Sequence, residues 1–193
     1  MVYGAINEKG ERYYTDLNKV FDFINNKQVE YNWLITDCDC YPYNYVTDEI
    51  LEKGYCWISG EKLTEIVEKA DYQWVWAVLS GFEKSVELGD VLKYNLPYAD
   101  GYPGFWKNPL TLQHPLAKIE IVPWDSALTL ILSEKKEIVD EITKSEEPET
   151  EDKKPSKEDD LIITRQICFD DDFINLKDKN HKTRIGTALF WGI

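Results

Sequence analysis

The run Tyr72-Gln73-Trp74-Val75-Trp76-Ala77-Val78-Leu79 constrains the fold more than any other stretch of the chain. Read as a strand, it is apolar on both alternating faces. Such a strand belongs in the middle of a sheet that is covered on both sides, or covered on one side and capped by loops on the other. The run therefore predicts a central strand, and the remaining elements have to supply its neighbours and its covers.

They do so in a mixed pattern. Met1 to Asn7 reads as a first strand, with a turn at Glu8-Lys9-Gly10 and a short return through Tyr13 and Tyr14. Thr15 or Asp16 caps a helix in which Leu17, Val20, Phe21 and Ile24 recur at helical spacing. Tyr31 to Thr36 is a strand, followed by a short helix around Asp48–Glu52 and a strand at Tyr55-Cys56-Trp57-Ile58. Ser59 and Gly60 open a helix with Leu63, Ile66, Val67 and Ala70 as its apolar stripe, and a weaker helical pattern runs from Ser85 to Tyr94. Leu116–Val122 and Leu128–Leu132 are β-rich runs separated by Pro123-Trp124-Asp125-Ser126, a hairpin signal; Ser133 caps a last helix carrying Ile138, Val139 and Ile142. Short sequential connections of this kind predict an α+β fold: a mainly antiparallel mixed sheet packed with three to four helices in a single compact domain.

The chain has 193 residues, the length of one domain rather than two. Its composition changes at Lys144. Residues 145–160 hold two prolines, no aliphatic side chain and a dense mixture of Glu, Asp and Lys, so they bury too little surface to offset their ordering entropy. The expected division is a core at 1–144, an acidic flexible linker or loop at 145–160, and a β-rich segment at 161–193 whose apolar end, Ile185 to Trp191, docks back on the core.

Charge narrows the partners. A formal net charge of −14 opposes nonspecific binding to nucleic acid or an anionic membrane, which needs clustered Lys and Arg, and favours basic partners. Solubility alone is the plainer explanation of the same number. No stretch reaches the roughly 18 apolar residues of a membrane span. The first residues lack the plan of a signal peptide, so the expected compartment is the cytoplasm, where Cys38, Cys40, Cys56 and Cys168 stay reduced.

No motif identifies a reaction. Asp37-Cys38-Asp39-Cys40 is suggestive of a metal, but a closed zinc site uses a second Cys pair or two His, and none is near; the plainer reading is a strand end entering a polar loop, with thiols packed as small hydrophobes. His114 lies in an apolar context, and His181 sits in a solvated Lys-Asn-His-Lys turn. Asp170-Asp171-Asp172 lacks the alternating spacing of a calcium loop, and phosphate-binding glycine patterns are missing. The expectation is therefore no catalytic residue, no metal and no cofactor, with an enzyme the less favoured class.

Aromatic residues carry the binding argument. Tyr31, Trp33, Trp57, Trp74, Trp76 and Trp124 fall in or beside strands, where core packing accounts for them. Tyr41, Tyr43 and Tyr45 sit instead in a loop of Pro, Asn and Asp. Residues 95–109 interleave Pro97, Gly101, Pro103, Gly104 and Pro109 with Tyr98, Tyr102, Phe105 and Trp106, a loop either pinned to the core or used for recognition. With Asp37, Asp39 and Asp100 these aromatics predict a half-exposed, negative face suited to a basic protein.

The segments Tyr31–Thr36, Trp57–Leu63, Trp76–Phe82 and Trp124–Thr129 resemble, in strand-and-helix texture, small acidic bacterial proteins of the Firmicutes, some of them products of immunity or defence loci. The resemblance spans about residues 1–143 and carries over no functional residue. It implies an immunity-type inhibitor that occludes a basic toxin or nuclease. The alternative expectation is a small-molecule binder or enzyme with a pocket lined by the two aromatic loops, in which convergent polar groups and a titratable residue displaced from its usual pKa should meet.

Overall fold

The computed structural model describes residues 1–7, 15–107, 109–144 and 164–166. The expected turn and return at 8–14, the whole acidic segment at 145–160 and all of the C-terminal piece but 164–166, with Cys168, Asp170–Asp172 and His181, lie outside the described residues. Among those described, seven strands form one sheet in the order β3-β2-β4-β5-β6-β1-β7. They are β1 Tyr3–Asn7, β2 Tyr31–Tyr41, β3 Cys56–Ser59, β4 Gln73–Glu83, β5 Ile119–Trp124, β6 Leu128–Ser133 and β7 Thr164–Gln166. Every pairing is antiparallel. The α-helices are α1 Leu17–Phe23, α2 Tyr45–Lys53, α3 Gly60–Val67, the single turn α4 Leu88–Val91, and α5 Lys136–Lys144, slightly more than the sequence pattern predicts.

β4 holds the interior position that its doubly apolar run requires, paired with β2 on one edge and β5 on the other. The strands alternate cleanly. Trp33 and Ile35, Ala77 and Leu79, Ile119 and Ile121, and Ile131 join one core, which α1, α3 and α5 cover with Leu17, Val20, Phe21, Leu63, Ile66, Val67, Ile138 and Val139. Leu34, Val78, Phe82, Val122, Leu130 and Leu132 face the other way, into two smaller cores completed by side chains from the segment between β4 and β5. One cover is helical and the other is mostly irregular chain.

Local chemistry fixes the helical cover. Asp16 caps α1 by accepting from the Asn18 N–H at 3.0 Å. Asn44 and Thr47 form a capping box on α2, and Gly54, at φ 80°, ends it in the left-handed conformation that costs glycine least. The start of α3 packs so closely on the turn before β2 that a Cβ on Gly60 would land on the Gln28 carbonyl. Trp33, fully buried, donates its indole N–H to that same carbonyl oxygen at 2.9 Å and lies over Gly81, its cross-strand partner. A Cβ on Gly81 would run into Ile119 and the Trp33 ring.

Three expectations need correction. β2 does not end at Thr36; it continues to Tyr41 through an irregularity between Thr36 and Asp39, where Asp37 takes φ 49°. The helical pattern at Ser85–Tyr94 yields only Leu88–Val91, with Gly89 inside the turn. Pro123 and Trp124 belong to β5 rather than to a loop. Proline is tolerated there because β5 pairs with β4 only as far as Ile121, so a ring in place of an N–H breaks no bond on that edge.

Candidate functional site

The irregular cover, from Ser85 to Lys118, is held by side chains rather than by periodic backbone bonds. Thr36 donates its hydroxyl to the Pro97 carbonyl at 2.8 Å. One carboxylate oxygen of Asp37 accepts from the Ala99 and Asp100 N–H groups at 2.6 and 3.1 Å. Gln113 brackets Tyr98, accepting from its N–H at 2.7 Å and donating to its carbonyl at 2.9 Å. Beneath them Glu120, fully buried on β5, accepts from the Gln113 N–H at 2.8 Å, from the His114 N–H at 2.9 Å and from the Ser80 hydroxyl at 3.4 Å. Burial raises the Glu120 carboxyl to about 7, against the pull of these donors, which favour the charged form.

Ser80, His114 and Glu120 are the residue types of a hydrolytic triad, and all three are buried. Their connections are wrong for catalysis. Glu120 reaches the His114 backbone, not its ring. The ring is spent: Nδ1 accepts from the Leu116 N–H at 3.2 Å, and Nε2 lies 3.2 Å from the Val91 carbonyl, to which it can only donate. Wedged edge-on between Phe82 and Tyr94, the imidazole has its pKa lowered by burial and stays neutral. The constellation is a lock for the loop.

The locked loop carries an aromatic chain to one end of the sheet. Tyr98 meets Tyr102 at a centroid distance of 5.4 Å, Tyr102 meets Phe105 at 4.7 Å, and Phe105 and Trp106 both stand edge-on to Trp124, which contacts Trp76 at 4.9 Å. Gly104 lies under the Tyr102 ring, where a Cβ would collide. The turn after Trp124 places Asp125 and Ser126 at φ 50° and 51°, the sign pattern of a tight hairpin turn usually given to Asn and Gly. It is tied to β4, since Ser126 donates its N–H to the Val75 carbonyl at 3.0 Å and its hydroxyl accepts from the Gln73 side chain at 3.1 Å.

The ten residues expected on a partner face divide accordingly. Tyr98 and Trp106 are exposed, Tyr102 is half-buried, and Asp100 is exposed beside them. Tyr41 and Tyr43 are exposed at the end of β2, their rings 5.1 Å apart and their hydroxyls 3.4 Å apart. Phe105 corrects the expectation: it is fully buried and forms the floor of the loop rather than its surface. Asp37 is exposed, but its carboxylate is occupied by the loop backbone. Tyr45 is exposed at the head of α2, with no ring contact to either group among the described residues. Asp39 and Asp100 make no side-chain hydrogen bond or ion pair with a described residue.

The thiols of Cys40 and Cys56 sit in the helical core, where burial pushes each up to about 12, far from the thiolate form that attacks or binds metal. The Cys38 thiol is also raised, first by burial. An open depression of about 370 Å³ lies between Ser85, Val86, Asp90, Lys93, Tyr94 and Leu116, and its two charges pair with each other at 2.6 Å. Sequence reading passed over Glu120, Thr36, Gln113, Trp76 and Trp124 as contributors here. The one available signal was an acid alone within the apolar run Leu116–Val122. No family model, curated protein or solved structure matches this chain.

Proposed function

We propose that this chain is a protein-binding module that meets a basic partner with the aromatic, acidic end of its sheet. The observation that carries the reading is the combination of exposed Tyr41 and Tyr43 and the Asp39 carboxylate at the end of β2 with exposed Tyr98, Asp100 and Trp106 on a loop fixed by hydrogen bonds from Thr36 and Glu120, neither carboxylate having an ion-pair partner among the described residues. Preorganised aromatics offer contact area at low entropic cost, and a chain of net charge −14 steers a basic partner toward them. In its most concrete form the module is an immunity-type inhibitor, covering the positively charged active site of a toxin or nuclease without chemistry of its own.

The test is capture of partners from the organism that makes the protein, with the tagged chain and with Asp100→Lys and Trp106→Ala variants, at low and high salt. A stoichiometric basic protein, lost at high salt and from both variants, is expected. Recovery of no such protein, or equal recovery by all three forms, contradicts the proposal.

A further inference from the structure

Asp39 is a carboxylate in an unusual setting. It is exposed, yet no described Lys or Arg pairs with it. Its cross-strand partner on β4 is Trp76, directly opposite. Side chains opposite each other in an antiparallel pair lie within contact distance. Cys38 and Cys40 turn toward the helical core, so Asp39 and Tyr41 share the other face of the strand. Tyr43 folds back on Tyr41; its hydroxyl is held above the usual tyrosine range by that hydrogen bond first, and the Asp39 charge adds to it. Trp76 is kept in place by Trp124, and the hairpin turn behind Trp124 is anchored on β4. The neighbouring carboxylate, Asp37, has its bonding used by the Ala99 and Asp100 N–H groups. One carboxylate without an ion-pair partner among the described residues thus stands across the strands from Trp76 and on the same face as Tyr41, against which Tyr43 packs.

We infer that Asp39, Trp76, Tyr41 and Tyr43 form a subsite for a single arginine side chain of the partner. A guanidinium accepts both parts of this environment at once: its planar fork pairs with a carboxylate and its faces stack on aromatic rings. A lysine ammonium is compact and strongly hydrated, and gains less from the rings. The inference rests on the proposed partner-binding face and names the element that anchors it.

The probe is the tripeptide acetyl-Gly-Arg-Gly-amide, titrated at low salt into the ¹⁵N-labelled full chain, with the Trp76 indole N–H and the Asp39 and Tyr43 amides as reporters. Saturable shifts at these positions are expected, with at least three-fold weaker binding to Asp39→Asn and to the lysine tripeptide. Asp39→Asn removes an exposed charge with no ion-pair partner among the described residues, and unchanged resonances elsewhere confirm that it is folded. Equal binding of the arginine and lysine peptides, equal binding by Asp39→Asn, or shifts confined to other sites overturn the subsite. The captured partner separates this inference from the wider reading. If Asp39→Asn keeps full affinity while Trp106→Ala loses it, the subsite is wrong and the face stands. If neither variant weakens the partner, both fall.

Discussion

The two covers of the sheet are built by different physics. On one side α1, α3 and α5 lay apolar stripes over Trp33, Leu79 and Ile121, and their own backbone bonds are satisfied within each helix. On the other side the chain from Ser85 to Lys118 has little regular structure, so each buried peptide group needs an individual partner. Thr36, Asp37, Gln113 and Glu120 supply partners at seven backbone groups: the Pro97 and Tyr98 carbonyls and the N–H groups of Tyr98, Ala99, Asp100, Gln113 and His114. The difference teaches that irregular chain can be as fixed as a helix when side chains, buried at Thr36 and Glu120 and more exposed at Asp37 and Gln113, complete its bonding. It also explains why the candidate partner face lies on this side. A helix presents whatever its period allows, whereas a side-chain-locked loop can set Tyr98, Tyr102 and Trp106 wherever recognition needs them.

The comparison can be broken from either side. The largest effect is expected from Trp33→Ala, which empties the helical core. It should lower the unfolding free energy by about 3–5 kcal/mol, read from urea titration, and weaken all strands together. Glu120→Ala strikes the other cover. It leaves the Gln113 and His114 N–H groups and the Ser80 hydroxyl buried without their acceptor, and should cost about 3 kcal/mol at pH 6. Its signature is spatial: amides of residues 97–114 should lose protection before those of α1 and α3.

A third effect follows from Glu120 titration. Its carboxyl is raised from 4.5 to about 7 by burial, so the folded chain holds that proton more tightly than the unfolded chain. The contribution to stability is therefore fully present below about pH 4.5 and is lost as pH rises through about 7. Relative to Glu120→Gln, the wild-type protein should lose about 2–3 kcal/mol between pH 5 and pH 8 in parallel urea titrations. A constant difference would mean that the group does not titrate in that window. The smallest effect, about 1 kcal/mol, is expected from Thr36→Val, which keeps the shape but removes the bond to Pro97.

The helical cover was largely legible in the sequence. Leu17, Val20, Phe21 and Ile24 announce α1 by period alone, its cap is narrowed to Thr15 or Asp16, of which Asp16 serves, and the doubly apolar run announces β4. The loop cover was not, because its determinants have no period. Glu120 hides in a run that reads as an ordinary apolar strand, and Thr36 and Asp37 look like the end of β2 rather than its bend. Phe105 lies among Gly and Pro, which correctly signal the absence of regular structure but say nothing of depth. The exposure of Tyr41, Tyr43, Tyr98 and Trp106 was legible from their loop settings, whereas the place of Trp76 and Trp124 beside the loop was not. The division of the aromatic face into floor, rim and anchored acid required the register of β2 against β4, where the irregularity at Asp37 decides which side chains share a face.

Amide-resolved hydrogen exchange on the native protein tests the central claim most directly. If side chains lock the irregular cover, the N–H groups of Ala99, Gln113 and His114 exchange about as slowly as that of Leu79 in the middle of the sheet, and slow exchange at 113 and 114 is lost in Glu120→Ala. Exchange of those three amides at the rates of free chain, while Leu79 stays protected, would contradict it: the loop would then be a loose covering, and the aromatic face it carries would have no fixed form to offer a partner.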